Sequence, residues 1–252
     1  MLIGPEHGGT AISTATADRI VVRGRDLCGE LIGGIGFTAY FHLLVTGTMP
    51  TQQQVRFLDA VLVAIAEHGL VPNVAAARMT LAADPGALQS AVAAGLLGCG
   101  TVVLGTTEVA GRMLQDGLAR GCEADVLIAE HRQARRRLPG FGHPLHKPQD
   151  PRAQRLLDLA EQEGAAGPAV ALARALDRAV QAGPKPLPMN VSLAIPAVLL
   201  DIGFPIAVLK GIPLLARCAS LIAHLAEEAE QPIGFLLAER GAAAIDFTGV
   251  SD

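Results

Sequence analysis

Residues 138–152 read LPGFGHPLHKPQDPR. Prolines and two glycines are spread along the run, so it is neither a regular helix nor a strand. A histidine follows the second glycine, a lysine comes four residues later, and Asp-Pro-Arg closes the stretch. A turn-rich loop that gathers backbone N–H groups, an imidazole and cations is commonly built around a ligand. What the rest of the chain supplies decides how this loop is held.

The chain has 252 residues and a mass of 26.0 kDa, enough for one large domain or two smaller ones. Half of it is hydrophobic, but only 3% is aromatic and Trp is absent, so the apolar mass is aliphatic and suits close-packed helices. A net charge of −4 with few aromatics argues against a nucleic-acid partner. Cys28, Cys99, Cys122 and Cys218 are scattered without CxxC or Cys/His ligand spacing, which reads as packed, reduced thiols. No basic segment leading into an apolar core opens the chain, so a cytoplasmic protein is expected. The seven histidines are dispersed along the sequence, none at HxxxH or HExxH spacing, and no metal is expected. Residues 87–107 are uncharged and long enough to cross a bilayer. Their Gly and Thr content and the lack of flanking Lys/Arg predict a buried helix instead, one that others approach closely at Gly95, Gly98 and Gly100.

Along the chain, ADRIVVRG is strand-like, and apolar residues Phe37, Tyr40, Phe41 and Leu44 then recur at helical spacing up to Gly47. Thr48 or Thr51 is a candidate cap for the helix that follows and stops by Gly69. EVAGRMLQDGLARG and ADVLIAEHRQARRRL are amphipathic, and Arg135, Arg136 and Arg137 are expected on a solvated helix face beside the loop. Two helices joined between Gly164 and Pro168, one from about Val191, and a last long helix ended by Pro232 complete an all-α reading.

PGFGH with DPR resembles the signature loop of the citrate synthase superfamily. FHLLVTGTMPT (residues 41–51), AEHG (residues 66–69) with Arg78 downstream, and ARCASLIAHLAEE (residues 216–228) are similar to three further family elements, with Ser220 where a Gly is usual. The likeness runs from about residue 20 to the C-terminus. The short length and VVRGRDLCGELIGG resemble the citryl-CoA lyase branch, including the lyase module of ATP-citrate lyase. The resemblance implies an all-α fold with a large helical domain (residues 1–105 and 196–252) and an inserted small domain (residues 106–195). It also implies a homodimer or higher even oligomer, coenzyme A as substrate thioester, and a di- or tricarboxylate ligand. By the same resemblance, Leu138, Pro139, Gly140, Phe141 and Gly142 lie along the adenine, with Lys147 at a CoA phosphate. His143 meets the substrate oxygen as main acid/base, and His68 holds the substrate carboxylate and hydroxyl. Arg152, Arg217, Arg78 and, in the C-terminal tail, Arg240 bind carboxylates. Read from the residues alone, Lys147 and Arg152 are equally ordinary surface charges and His68 a helix C-cap. His146 has no assigned role, and His224 reads as structural.

Two positions depart from the family. Val103 stands where citrate synthases carry a second catalytic His, as the lyase module also lacks it. Asn190, Val191 and Ser192 stand where the family has its NVD acid/base, and a serine hydroxyl is a far weaker base than a carboxylate. Asp201 matches a structural carboxylate, and Glu108 is a spare one. Three readings stay open: cleavage of citryl-CoA to acetyl-CoA and oxaloacetate with Ser192, a water or another carboxylate assisting His143; a C–C reaction of a different acyl-CoA; or an inactive homologue that binds CoA and carboxylates.

Overall fold

The computed structural model of the chain describes residues 8–100 and 106–249. Val103 lies outside the described residues. The contacts divide the chain into one unit up to Asp59 and a second from Ala60 onward.

The first unit begins with a small antiparallel meander of β1 (Ser13–Ala15), β2 (Ile20–Val22) and β3 (Arg25–Asp26), where the strand-like ADRIVVRG falls. Thr14 pairs with Val21, and Val21 with Asp26. A π-helical turn (Leu27–Leu31) and α1 (Phe37–Thr46) follow. Val22, Leu31 and Leu43 form the core of this unit, with Leu27, Ile35, Tyr40 and Leu44 packed against it. Gly47 takes a left-handed φ of +78° to end α1. At the next helix, α2 (Gln52–Ala66), Thr51 Oγ1 accepts from Gln54 N (3.1 Å) and Gln54 Oε1 accepts from Thr51 N (2.9 Å). That reciprocal capping box makes Thr51 the cap.

The second unit is helical. α3 (Pro72–Ala83), α4 (Leu88–Leu97), α10 (Gly211–Glu230) and α11 (Gly234–Ala243) pack as one group around Val74, Ala77, Leu81, Ala91, Leu221 and Leu225. Gly95 permits the closeness: a Cβ there would sit 2.6 Å from Leu221. α4 ends at Leu97, short of the predicted residue 107, and only one of its faces is covered, with Leu97 86% exposed. α10, with the turn before it, is long and apolar enough to cross a membrane by composition, yet its buried face carries Arg217 and Glu228 and packs on α3 and α4.

A second group holds α5 (Thr106–Ala119), α6 (Ala124–Gln133), α7 (Pro151–Gln162), α8 (Pro168–Ala182) and α9 (Val191–Asp201). α9 is its centre: nearly every residue is buried, and it packs against α5, α7 and α8. The predicted boundary at residue 195 would cut this helix, so the group continues to Asp201. Asp201 accepts from the N–H groups of Gly167, Ala169 and Val170 at 2.7–2.9 Å, capping α8. Glu108 pairs with Arg112 one turn along α5. Arg135, Arg136 and Arg137 do not continue α6: the helix ends at Gln133 and Arg135 turns to φ +52°. All four cysteines are unpaired thiols.

Candidate active site

The loop at residues 138–142 is zipped along the segment that leads into α9. Gly142 N donates to Pro188 O (2.7 Å), Asn190 N to Gly140 O (2.9 Å), and Asn190 Nδ2 to Gly142 O (2.8 Å). Gly140 and Gly142 have φ of +83° and +86°, and a Cβ on Gly140 would lie 2.4 Å from Leu193 Cβ. Only glycine serves there, because the chain is both left-handed and pressed against α9.

This platform walls a cleft of about 740 Å³ that His68, His143, Arg152, Ser192 and Arg217 also line. A more open groove of about 870 Å³ between α6 and α8 is lined by alanines with Glu123, Asp125, Arg132 and Arg178, and holds no imidazole. Among the predicted site residues three do not line the cleft. Lys147 is exposed, three residues beyond Pro144 at the rim. Arg240 is exposed on the last turn of α11. Arg78, expected at a substrate carboxylate, is instead buried and engaged within the protein: Nε donates to Glu228 (2.7 Å) and Nη1 to Glu227 (2.8 Å). It sits on the inner face of α3 against α10, where its charge needs a protein partner. Arg137, outside the predicted set, does line the cleft.

Asp150 orders the basic side of the site. Fully buried, it accepts from Arg152 Nε (3.0 Å), Arg152 Nη2 (2.9 Å) and the Val191 N–H (3.1 Å). Burial alone would raise its carboxyl; Arg152 and the amide bonds outweigh this and hold it below the usual carboxylate range. Arg152 is thereby fixed side-on, leaving Nη1 for a ligand. Arg217 differs: it is 3% exposed, and its Nε and Nη1 have no hydrogen-bond partner among the described residues. Burial, aided by Arg152, pushes its guanidinium below the ordinary value, against the pull of Glu67 and Cys99.

The imidazoles are not dispersed in space. His68, His143 and His146 form one cluster, with ring centroids 5.5 Å (68/143), 5.2 Å (68/146) and 4.3 Å (143/146) apart. His143 Nδ1 accepts from the N–H groups of Leu145 (3.1 Å) and His146 (2.9 Å), so the neutral ring carries its proton on Nε2. Burial first, then the charge of His146, lowers the His143 pKa; burial, then Arg152, lowers that of His68. Each cluster histidine can offer a ring nitrogen, all within 4.8 Å of one another, a spacing a transition metal could bridge. The residues do not fit that use. His143 would have to ligate through the nitrogen that holds its proton, and Arg152 and Arg217 place positive charge beside the cluster.

Behind His68, Glu67 accepts from the His68 N–H (2.8 Å) and from His224 Nε2 (3.0 Å), while His224 Nδ1 faces Arg78 Nη1 (3.4 Å). This chain fastens the His68 loop to α10 and makes His224 a support of the site. Sequence reading passed over Asp150, Glu67 and Asn190. Asp150 did carry a signal, an Asp-Pro pair opening an amphipathic helix.

The family described as Citrate synthase, C-terminal domain matches residues 33–234. The citryl-CoA lyase of Hydrogenobacter thermophilus superposes with a TM-score of 0.88 at 28% identity, covering 97% of this chain and 96% of that one. The ATP citrate lyase of Methanothrix soehngenii, solved in complex with citrate and coenzyme A, superposes with a TM-score of 0.84 at 22% identity over all of this chain and 43% of its own. A citrate synthase of Heyndrickxia coagulans is 29% identical over 203 residues, 78% of this chain; the chain spans about half (53%) of that relative's length. With the glycine loop, the two arginines and the imidazoles assembled on this helical scaffold, the chain belongs to the citrate synthase family.

Proposed function

We propose that the cleft cleaves citryl-CoA, a 3-hydroxy-3-carboxyacyl thioester, to acetyl-CoA and oxaloacetate. The observation that carries this reading is Arg217: a buried guanidinium without a hydrogen-bonded protein carboxylate, beside Arg152 and two imidazoles, awaits the carboxylates of a ligand. The similarity to a citryl-CoA lyase over nearly the whole of both chains supports it.

In retro-aldol cleavage the tertiary hydroxyl loses its proton, the bond to the thioester methylene breaks, and its electron pair becomes an enolate that is then protonated. His143 was expected to act as the main acid/base. Its Nε2–H instead suits the donor role, a hydrogen bond to the tertiary oxygen as charge builds there. The His68 ring makes no hydrogen bond among the described residues, and burial disfavours its charged form, which suits the neutral ring to accept the hydroxyl proton. The backbone of residues 138–142 would carry the adenine, and Arg137 and Lys147 at the rim would face CoA phosphates. We extend the proposal to a homodimer, which would cover exposed Leu97, Ile222 and Phe235 and bring Arg240 towards a partner's cleft.

Ser192, which lines the cleft where the family has its Asp, favours a second reading: another acyl-CoA substrate, or binding without turnover. Incubation with synthetic citryl-CoA, followed by mass, separates the two. Equal amounts of acetyl-CoA and oxaloacetate are expected; intact citryl-CoA alongside measurable CoA binding would favour the second.

A further inference from the structure

His146 stands three residues after His143, and its backbone N–H helps to fix the His143 tautomer. Its side chain does more than fill space. The ring lies within 5° of parallel to that of His68, with centroids 5.2 Å apart, and 4.3 Å from that of His143. His68 and His143 line the cleft; His146 does not, and the residues on either side of it, Leu145 and Lys147, are exposed. All three rings are partly exposed, but a ligand filling the cleft would cover His68 and His143 and leave His146 open to solvent.

The neighbouring carboxylates cannot take that place. Asp150 is occupied by Arg152 and the Val191 N–H, and Glu67 by His224 and backbone amides. The other charged groups facing the cluster, Arg152 and Arg217, hold their protons. Ring nitrogens within 4.8 Å of one another are spanned by one water making two hydrogen bonds of about 2.8 Å. At this separation two imidazolium charges repel, so a proton taken up by one ring disfavours a second on its neighbour.

We propose that His146 is a third working imidazole of the site, carrying a proton between His68 and solvent during turnover; this rests on the lyase reading above. The hydroxyl proton passes to His68 as the carbon–carbon bond breaks and its electron pair becomes the acetyl-CoA enolate. His68 returns to its neutral form by giving the proton to His146, and His146 releases it to water. The enolate carbon takes one proton from water, so none is gained or lost overall.

The test is His146→Gln in the full chain. In a poorly proton-transferring buffer, kcat on citryl-CoA falls about tenfold or more, KM and CoA affinity stay unchanged, and added imidazole restores the rate. An unchanged kcat overturns the proposal, and so does a fall that imidazole leaves in place. Ring-nitrogen NMR of the ligand-free protein gives a second reading that needs no substrate. Loss of the neighbouring charge moves the titrations of His68 and His143 upward in the variant; titrations that stay put overturn the coupling of the rings. A wild-type chain that leaves citryl-CoA intact counts against the lyase reading, and the NMR titrations then decide the cluster by themselves.

Discussion

Asp150 Oδ2 accepts the Val191 N–H at 3.1 Å across 41 residues of sequence, and the same carboxylate grips Arg152. One buried group thus sets both the carboxylate-binding arginine and the start of the central helix α9. The folding of the helical group and the shape of the cleft are tied together there.

Asp150→Asn keeps the shape but removes the charge, leaving Arg152 without its counter-ion. Stability falls by about 3–5 kcal/mol, the usual consequence of breaking a buried pair from one side, read by denaturant titration. Because the folded carboxyl sits below its unfolded value, its contribution is full above about pH 4 and is lost as pH falls through the lower folded pKa. The difference between wild type and variant therefore narrows in acid.

Arg217→Met separates binding from stability. The guanidinium is buried without partners, so an apolar chain of similar length leaves the melting temperature unchanged or higher. Affinity for oxaloacetate or citrate falls by about 10- to 100-fold, the worth of charge-assisted hydrogen bonds of about 1.5–3 kcal/mol. Calorimetric titration beside a thermal melt checks both halves.

Gly140→Ala and Gly142→Ala differ in a way that the loop geometry dictates. Both place an L side chain at positive φ, but only at Gly140 does the new methyl meet Leu193. Gly142→Ala costs about 1 kcal/mol and weakens CoA binding modestly; Gly140→Ala pushes the loop off α9 and abolishes CoA binding. Equal effects would contradict the zipped arrangement.

The pH dependence follows from the imidazoles. His68 and His143 are lowered from their ordinary values, chiefly by burial, so each is less charged at a given pH than a free histidine, of pKa about 6.5. With neutral rings required, kcat/KM for citryl-CoA falls in acid with a midpoint below about pH 6.5. A profile that halves at or above pH 6.5 would show that the rings are not shielded.

Local chemistry made much of this visible in the sequence. Apolar spacing between proline and glycine stops placed α7, α8, α9 and α10, and the glycines and prolines of residues 138–152 announced an irregular loop built around a ligand. The Arg78 partner was hidden because Glu228 lies 150 residues away and only the packing of α3 on α10 brings them together. His146 was passed over in part for the same reason: one of its two neighbouring rings, His68, is remote in sequence and meets it only in the folded chain. The end of α6 was misjudged because helix-forming arginines continue past Gln133, while the left-handed turn at Arg135 follows from where the loop must go.

The most direct measurement is the rate of citryl-CoA cleavage by the wild-type chain and by His143→Ala under identical conditions. Acetyl-CoA and oxaloacetate should form together with the wild-type protein, and the variant should be slower by about 10²–10³-fold with CoA binding intact. Cleavage at the same rate by both proteins, or none by either, would contradict a lyase centred on this cleft.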